Sequence, residues 1–320
     1  VQSGHFHERT ADQVSTAALQ WLGGRSDPQR PFFAWLHFFD PHSPYVPPDR
    51  YRDAHAGRPY DGEISFVDTE LGRVIDDLKR QGLFDRTLVV VMADHGEGLG
   101  DHGEPTHSLL IYESTIRVPL IFSAPELFER PGVVGDRVVG LVDVAPTLVE
   151  LLGIEGAGEM EGINLFAAEP DPRRAIYIES MVPLLTYGWA PLTGLRRLDD
   201  KLILAPTPEY YDLSERPLEE RNRFEGSAEA ESLRDRLTSL LAGWPSVEQI
   251  AEQEPLTDPE VAERLSALGY ERSDYRLPPG EPRKNPRDML ETWTSISQAE
   301  MLSQRGRHEE ALELARKVVE

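Results

Sequence analysis

A carboxylate and an imidazole stand side by side at Asp94 and His95, directly after the apolar run Thr87-Leu88-Val89-Val90-Val91-Met92. Asp94 offers hard anionic oxygen and His95 neutral nitrogen, a donor pair suited to a divalent cation. Gly96 lets the backbone bend so that both side chains can face one crevice. Two adjacent donors make half a metal site. The plainer alternative is a strand-to-loop turn in which Asp caps and Gly takes a positive φ. Against it stands the continuation Leu99-Gly100-Asp101-His102-Gly103-Glu104-Pro105-Thr106-His107. His95, His102 and His107 fall within thirteen residues of one glycine-punctuated loop, a density that packing explains poorly.

The elements that must hold these groups follow from hydrophobic periodicity. The Val- and Leu-rich run reads as a strand covered on both faces, as in the parallel sheet of an α/β domain, where ligands collect at the strands' carboxyl ends. Residues 8–22 read as a helix, 32–39 as a strand, and Asp61–Gln81 as a helix stopped by Gly82. Pro119 to Ser123 suggests a further strand and Val142 to Leu152 a helix. Residues 175–213 read as short strands with turns, including Lys201–Leu204. Tyr187 and Trp189 in that region read as core before cleft lining. His37, inside the 32–39 strand, reads as a hydrogen-bonded core histidine. An amphipathic stretch follows at 228–242.

Asp94-His95-Gly96-Glu97, then Gly100-Asp101-His102-Gly103-Glu104, then Arg117-Val118-Pro119-Leu120-Ile121 resembles the sulfatase family of the alkaline phosphatase superfamily. Upstream, the apolar stretch from Phe32 into Asp40-Pro41-His42-Ser43-Pro44-Tyr45 is similar to that family's strand and Asp-Pro-His-x-Pro-Tyr turn. Downstream, Leu141-Val142-Asp143-Val144-Ala145-Pro146-Thr147-Leu148 is similar to its Asp-hydrophobic-x-Pro-Thr helix. Glu209-Tyr210-Tyr211-Asp212-Leu213 through Asn222 is similar to its closing hairpin. These stretches keep the family's order over roughly residues 8 to 225.

The resemblance implies a partial alkaline phosphatase-like three-layer α/β sandwich, closed by a small antiparallel sheet. It implies one divalent metal, Ca²⁺ first with Mn²⁺ or Zn²⁺ as alternatives, with Asp94 and His95 matching the later pair of ligands. His42 matches the acid that protonates the leaving alcohol. Thirteen residues beyond the metal Asp the family carries a Lys that holds a sulfate oxygen; here that position is His107. Lys is charged at any working pH, whereas an imidazole titrates near 6.5 unless an anion beside it favours the charged form. Loop hydrogen bonding is the plainer role for His107, and a simple turn the plainer role for His42. His102 reads either as support behind a ligand or as loop-stabilising, with no role assigned.

The family's nucleophile is a formylglycine made from Cys or Ser in Cys/Ser-x-Pro-x-Arg, and this chain contains no cysteine. Ser26-Asp27-Pro28-Gln29-Arg30 fits the letters but directly precedes Pro31-Phe32-Phe33, where a loop is expected rather than a catalytic helix. The amino-terminal Asp pair is also missing: Asp76-Asp77 lie inside a predicted helix and Asp199-Asp200 in a late hairpin. The chain starts with Val, the resemblance starts partway through the family pattern, and the last residues read as helix. The expectation is an internal piece of a longer protein, with the nucleophile and the other metal ligands in the missing part. A signal peptide cannot then be judged; the compartment stays open, with export or a periplasmic location the expectation.

From 226 to about 286 the chain reads as a helix and then a Pro- and Glu-rich linker. Residues 287–320 resemble the start of a tetratricopeptide repeat, with Gly306 at the inter-helix turn and Ala311 at a close-packed position. One repeat cannot bury its own face, so an all-α helical-repeat tail offering a protein-binding surface is the expectation, and a lone helical hairpin the alternative.

Hydrophobic residues at 39% and charged residues at 28% describe a globular chain with no run long enough to span a membrane. The net charge of −23 argues against nucleic acid and anionic membranes as partners. The expected activity of the intact parent is hydrolysis of sulfate esters on a small molecule or glycan. The alternatives are a phosphodiesterase, phosphonate hydrolase or phosphoglycerol-type transferase of the same superfamily, or a non-catalytic scaffold. The fragment by itself is expected to be inactive.

Overall fold

The structure is a computed structural model that describes residues 9–128, 130–155, 158–167, 169, 171–214, 218–245, 282–304 and 306–319. Two compact units emerge. One gathers the residues up to Val91 with Leu120–Pro131, and the other holds Met92–Pro119 and most of the chain from Gly132 onward.

In the first unit, α1 (Ala11–Gly23) packs with α3 (Pro59–Arg80), and the short α2 (Asp49–Ala54) also lies against α3. Leu22, Val74, Leu78 and Leu83 form one buried cluster; Ala11, Tyr51 and Phe66 form another. Pro59 opens α3 at a position whose N–H would be unsatisfied anyway, and Gly82 stops the helical run by taking φ +66°. The predicted helices at 8–22 and 61–81 are thus present with ends moved by a few residues. β1 (Val89–Met92) pairs with β2 (Leu120–Ser123). Its residues are half-buried rather than fully covered.

The predicted strand at 32–39 is not a strand. Phe32, Leu36 and Phe38 pack on the helix clusters, while Phe33 and Trp35 stand 76% and 70% exposed. A strand needs a ladder partner, and among the described residues this segment has none. His37 is exposed, which corrects its reading as a core histidine.

In the second unit, β3 (Ile176–Ser180), β4 (Leu192–Arg196), β5 (Asp200–Leu204) and β6 (Glu209–Asp212) form an antiparallel sheet in sequence order. Ser180 faces Leu192, Arg196 faces Lys201, and Asp200 faces Asp212. Alternate residues face opposite sides, and both sides are covered. Leu195, Leu202 and Tyr210 pack against Leu233 and Leu237 of α7 (Ala228–Leu241). Leu192, Ile203 and Tyr211 pack against Leu109–Tyr112, Trp189 and Trp293. Trp189 is thus core, with Tyr187 stacked on it 4.6 Å away.

Before this sheet, α4 (Glu113–Ile116) and α5 (Val144–Leu151) appear, the latter after a 3-10 turn at Leu141–Asp143. A helix, α6 (Val182–Tyr187), stands where the sequence reading had only strands and turns. Most of the predicted linker lies outside the described residues. Its end does not hang free: the Ala190 N–H donates to Lys284 O (2.9 Å), and Pro286 is fully buried. α8 (Leu290–Gln304) and α9 (His308–Val319) pack on each other; Gly306 takes φ +75° between them and Ala311 is buried. Among the described residues no helix is long and apolar enough to cross a membrane.

Candidate active site

β1 ends two residues before Asp94, and the loop that follows is held by backbone pairing. Gly96 N–H donates to Thr115 O (2.7 Å), Glu97 N–H to Ser114 O (2.9 Å) and Gly98 N–H to Thr106 O (2.6 Å). A Cβ on Gly96 would overlap the Ser114 carbonyl, and one on Gly98 the Glu104 carbonyl. Gly96 is therefore required for close approach; it does not take the positive φ that a simple turn would need.

Asp94 and His95 are both exposed at this strand end, with His95 Nε2 3.8 Å from Asp94 Oδ1. His95 Nδ1 lies 2.8 Å from Gly96 O, and a carbonyl can only accept, so Nδ1 carries the hydrogen. That leaves the Nε2 lone pair on the side of the Asp94 carboxylate, the arrangement in which a backbone carbonyl orients a ligating imidazole.

His107 is brought to the same place. Its ring stacks on His95 with centroids 4.0 Å apart. Its Nδ1 donates to Glu97, 3.1 Å from Oε2 and 3.3 Å from Oε1, and the Glu97 side chain is buried. Glu104 completes the cluster at 1% exposure, accepting from Leu109 N–H (2.7 Å) and Leu110 N–H (3.1 Å). Burial pushes the Glu104 carboxyl up to about 7; the two N–H donors and His107 pull it down, and Glu97 adds to the rise.

Behind the loop lies a fully buried cation. Lys201 Nζ donates to Ile111 O (3.0 Å) and pairs with Glu113 (3.3 Å) and Glu219. Glu219 Oε2 accepts the Glu113 N–H (2.6 Å), and Arg196 pairs with Glu113 at 3.1 Å. Burial alone would raise Glu113, but Lys201 and Arg196 outweigh it and hold that carboxyl below its ordinary value. Glu219 stays raised, its burial exceeding what Lys201 returns. His102 stacks on Tyr112 (3.9 Å) and reaches Glu219 O (3.2 Å), contacts of the loop-stabilising kind, the one of the two sequence readings they favour.

His42 belongs to the first unit. Its Nδ1 lies 2.7 Å from Ser43 O, and its ring sits 4.3 Å from the Phe39 ring. Ser26–Arg30 is an exposed loop in which Asp27 accepts the Gln29 N–H, in keeping with a coincidental motif.

Asp94 and His95 have the donor chemistry for one side of a cation site. Among the described residues no three His, Asp or Glu side chains gather into a metal-binding group, so the pair does not close a site by itself. Glu97, Glu104, Glu113, Lys201 and Glu219 were given no role from sequence. One signal was present: His-Gly-Glu occurs twice, at 95–97 and 102–104, and both glutamates turn inward.

Residues 3–154 match the sulfatase family model. A sulfatase from Formosa agariphila is 29% identical over 223 residues, covering 65% of this chain and 42% of its own length. The N-acetylglucosamine-6-O-sulfatase of Bacteroides thetaiotaomicron is 28% identical over 226 residues, covering 67% and 39%. The solved phosphonate monoester hydrolase of Agrobacterium radiobacter superposes with a TM-score of 0.60 at 23% identity, covering 78% of this chain and 64% of that one. The fold is of the alkaline phosphatase-like α/β class. Within it, residues 3–154 are similar to the sulfatase family. The chain spans about two fifths of the length of the curated relatives it matches.

Proposed function

We propose that the intact protein hydrolyses sulfate esters of a small molecule or glycan. The observation that carries this reading is the His107–His95 stack beside Asp94 at the end of β1, inside a stretch that matches the sulfatase family. Asp94 and His95 hold one side of a divalent ion, Ca²⁺ in this reading, with the remaining donors supplied from outside these 320 residues. Such an ion, when bound, stabilises negative charge on the ester oxygens. His107, anchored by Glu97, binds a sulfate oxygen. His42 donates a proton to the leaving alcohol. The chain has no cysteine, and Ser26–Arg30 lies in an exposed loop, so in this reading a formylglycine nucleophile also comes from outside it.

The net charge of −23 repels a polyanionic substrate at long range, so the bound ion and His107 must offset that field locally. The α8–α9 pair is read as the start of a helical-repeat surface for a protein partner.

The test is turnover of an aryl sulfate against the matching aryl phosphate and phosphonate by the intact protein, with and without chelator. Preference for sulfate, lost on chelation, supports the reading. Preference for phosphate or phosphonate replaces it with phosphoryl transfer, and inactivity on all three with retained folding favours a scaffold.

A further inference from the structure

The loop that carries His42 is shaped by one buried side chain to which the resemblance attaches no role. Glu63 sits in the first turns of α3 at 3% exposure. Its Oε2 accepts the His42 N–H (3.0 Å) and its Oε1 the Val46 N–H (2.6 Å). One carboxylate spanning two amides four residues apart clamps the Ser43-Pro44-Tyr45 turn between them, and removing it would leave two donors without these partners. Neighbours on α3 reinforce the clamp. Tyr60 meets Tyr45 edge to face at 5.4 Å, and Gly62 admits Pro47, whose Cγ would lie 2.9 Å from any added Cβ. The loop's other end is tied at Asp40, whose Oδ2 accepts the Ala11 N–H (2.7 Å) at the start of α1.

Within this frame the His42 ring is set by its own contacts. Nδ1 carries the hydrogen, because its partner is the Ser43 carbonyl, and the ring rests on Phe39. A proton that His42 gives away therefore leaves from Nε2.

We propose that Glu63 is a positioning residue for proton transfer, holding the His42 backbone so that Nε2–H reaches the leaving oxygen of the ester. This rests on the assignment of His42 as the general acid. In the step, the S–O bond to the leaving group breaks and its electron pair goes to the ester oxygen. That oxygen takes the Nε2 proton, the sulfuryl group passes to the nucleophile, and an alcohol and a neutral imidazole result. Displacement of a reacting group by about 1 Å can cost on the order of 100-fold in rate.

Proton donation leaves a signature that a merely structural role does not. A phenol of low pKa departs without help, whereas one of high pKa needs the proton. The experiment measures kcat of the intact protein on 4-nitrophenyl sulfate and 4-methoxyphenyl sulfate for wild type, Glu63→Gln and His42→Gln. Glutamine keeps the shape but turns an NH₂ toward one of the two amides. The expected result is that both variants lose about 10-fold or more additional turnover on the methoxy ester. Equal loss on both esters in Glu63→Gln, with selective loss in His42→Gln, overturns the role of Glu63 and leaves the acid standing. Equal loss in His42→Gln overturns the acid assignment and the proposal with it. Should Glu63→Gln fail to fold, Glu63→Asp, which keeps the charge and shortens the reach, is judged by the same ratio.

Discussion

His107 lies face to face on His95, ring centroids 4.0 Å apart and planes 29° apart, with Nδ1 of His107 anchored on the buried Glu97 carboxylate. The stack places a second imidazole beside the Asp94–His95 pair, at the position where the family resemblance leads one to expect lysine. It makes His107 replaceable in a specific way. Loss of a preorganised oxyanion partner costs about 100-fold or more in kcat, so His107→Ala should lose that much on an aryl sulfate. His107→Lys, which restores a permanent cation, should retain most of the activity. Steady-state kinetics of the intact protein decide this; equal loss in both variants would remove His107 from the sulfate contact.

The glycines of the loop are constrained by volume. Gly98→Ala would drive a methyl into the Glu104 carbonyl, and Gly96→Ala into the Ser114 carbonyl. Each substitution should destabilise the second unit by about 2–3 kcal/mol, the cost of overpacking against backbone that cannot yield. Gly100→Ala, with open space around its Cβ but φ +92°, should cost less, through backbone strain alone. Urea denaturation of the three variants gives the ranking.

Glu104 should make stability depend on pH. Its carboxyl is pushed from an ordinary 4.5 up to about 7, so the folded state holds a proton that the unfolded state releases. The sign follows: its contribution is fully present below about pH 4.5, falls as pH rises toward 7, and is lost above it. The whole effect is about 3 kcal/mol. Glu104→Gln cannot release a proton, so its stability relative to wild type should rise across that window. Unfolding free energies of both proteins between pH 4 and 8 should diverge; parallel curves would show that folding does not shift the Glu104 carboxyl.

Lys201 pairs with two buried carboxylates, Glu113 and Glu219, from the sheet side of the loop, Arg196 sharing Glu113. Lys201→Met should cost about 3–5 kcal/mol, because it leaves Glu219 buried without its cation. Adding Glu219→Gln should return part of that loss. A double-mutant cycle in denaturant measures the coupling, and additive effects would show that the pair does not act together.

Much of this protein is written locally. The apolar run into Asp94-His95-Gly96 determines a strand that ends in donors. The spacing from Val67 to Leu78 determines α3, and Gly82 its end. These are short-range facts, because helix periodicity, strand run and stop residue act within a few positions along the chain. The segment from Phe32 to Phe39 marks where that logic stops. Its apolar run reads as a strand, yet strand identity needs a partner that the segment's own residues do not specify, and His37 is exposed.

Only tertiary structure decided the rest. Glu97 and Glu104 look like solvent-facing loop charges in sequence, and Lys201 like an ordinary edge residue of a short strand. Glu97 and Glu104 are buried by the fold of their own loop onto His107 and the Leu109 and Leu110 N–H groups. Lys201 is buried because distant segments close over it: Leu109–Tyr112 folds onto the small sheet, Trp293 of α8 covers the same cluster, and Glu219 returns beneath Glu113. Burial, and the hydrogen bonds and ion pairs that make burial of charge tolerable, depend on which segments meet in space. For Lys201 that information belongs to contacts about 90 to 106 residues apart in sequence, such as Lys201 with Ile111 and Glu113 with Glu219, which no local pattern encodes.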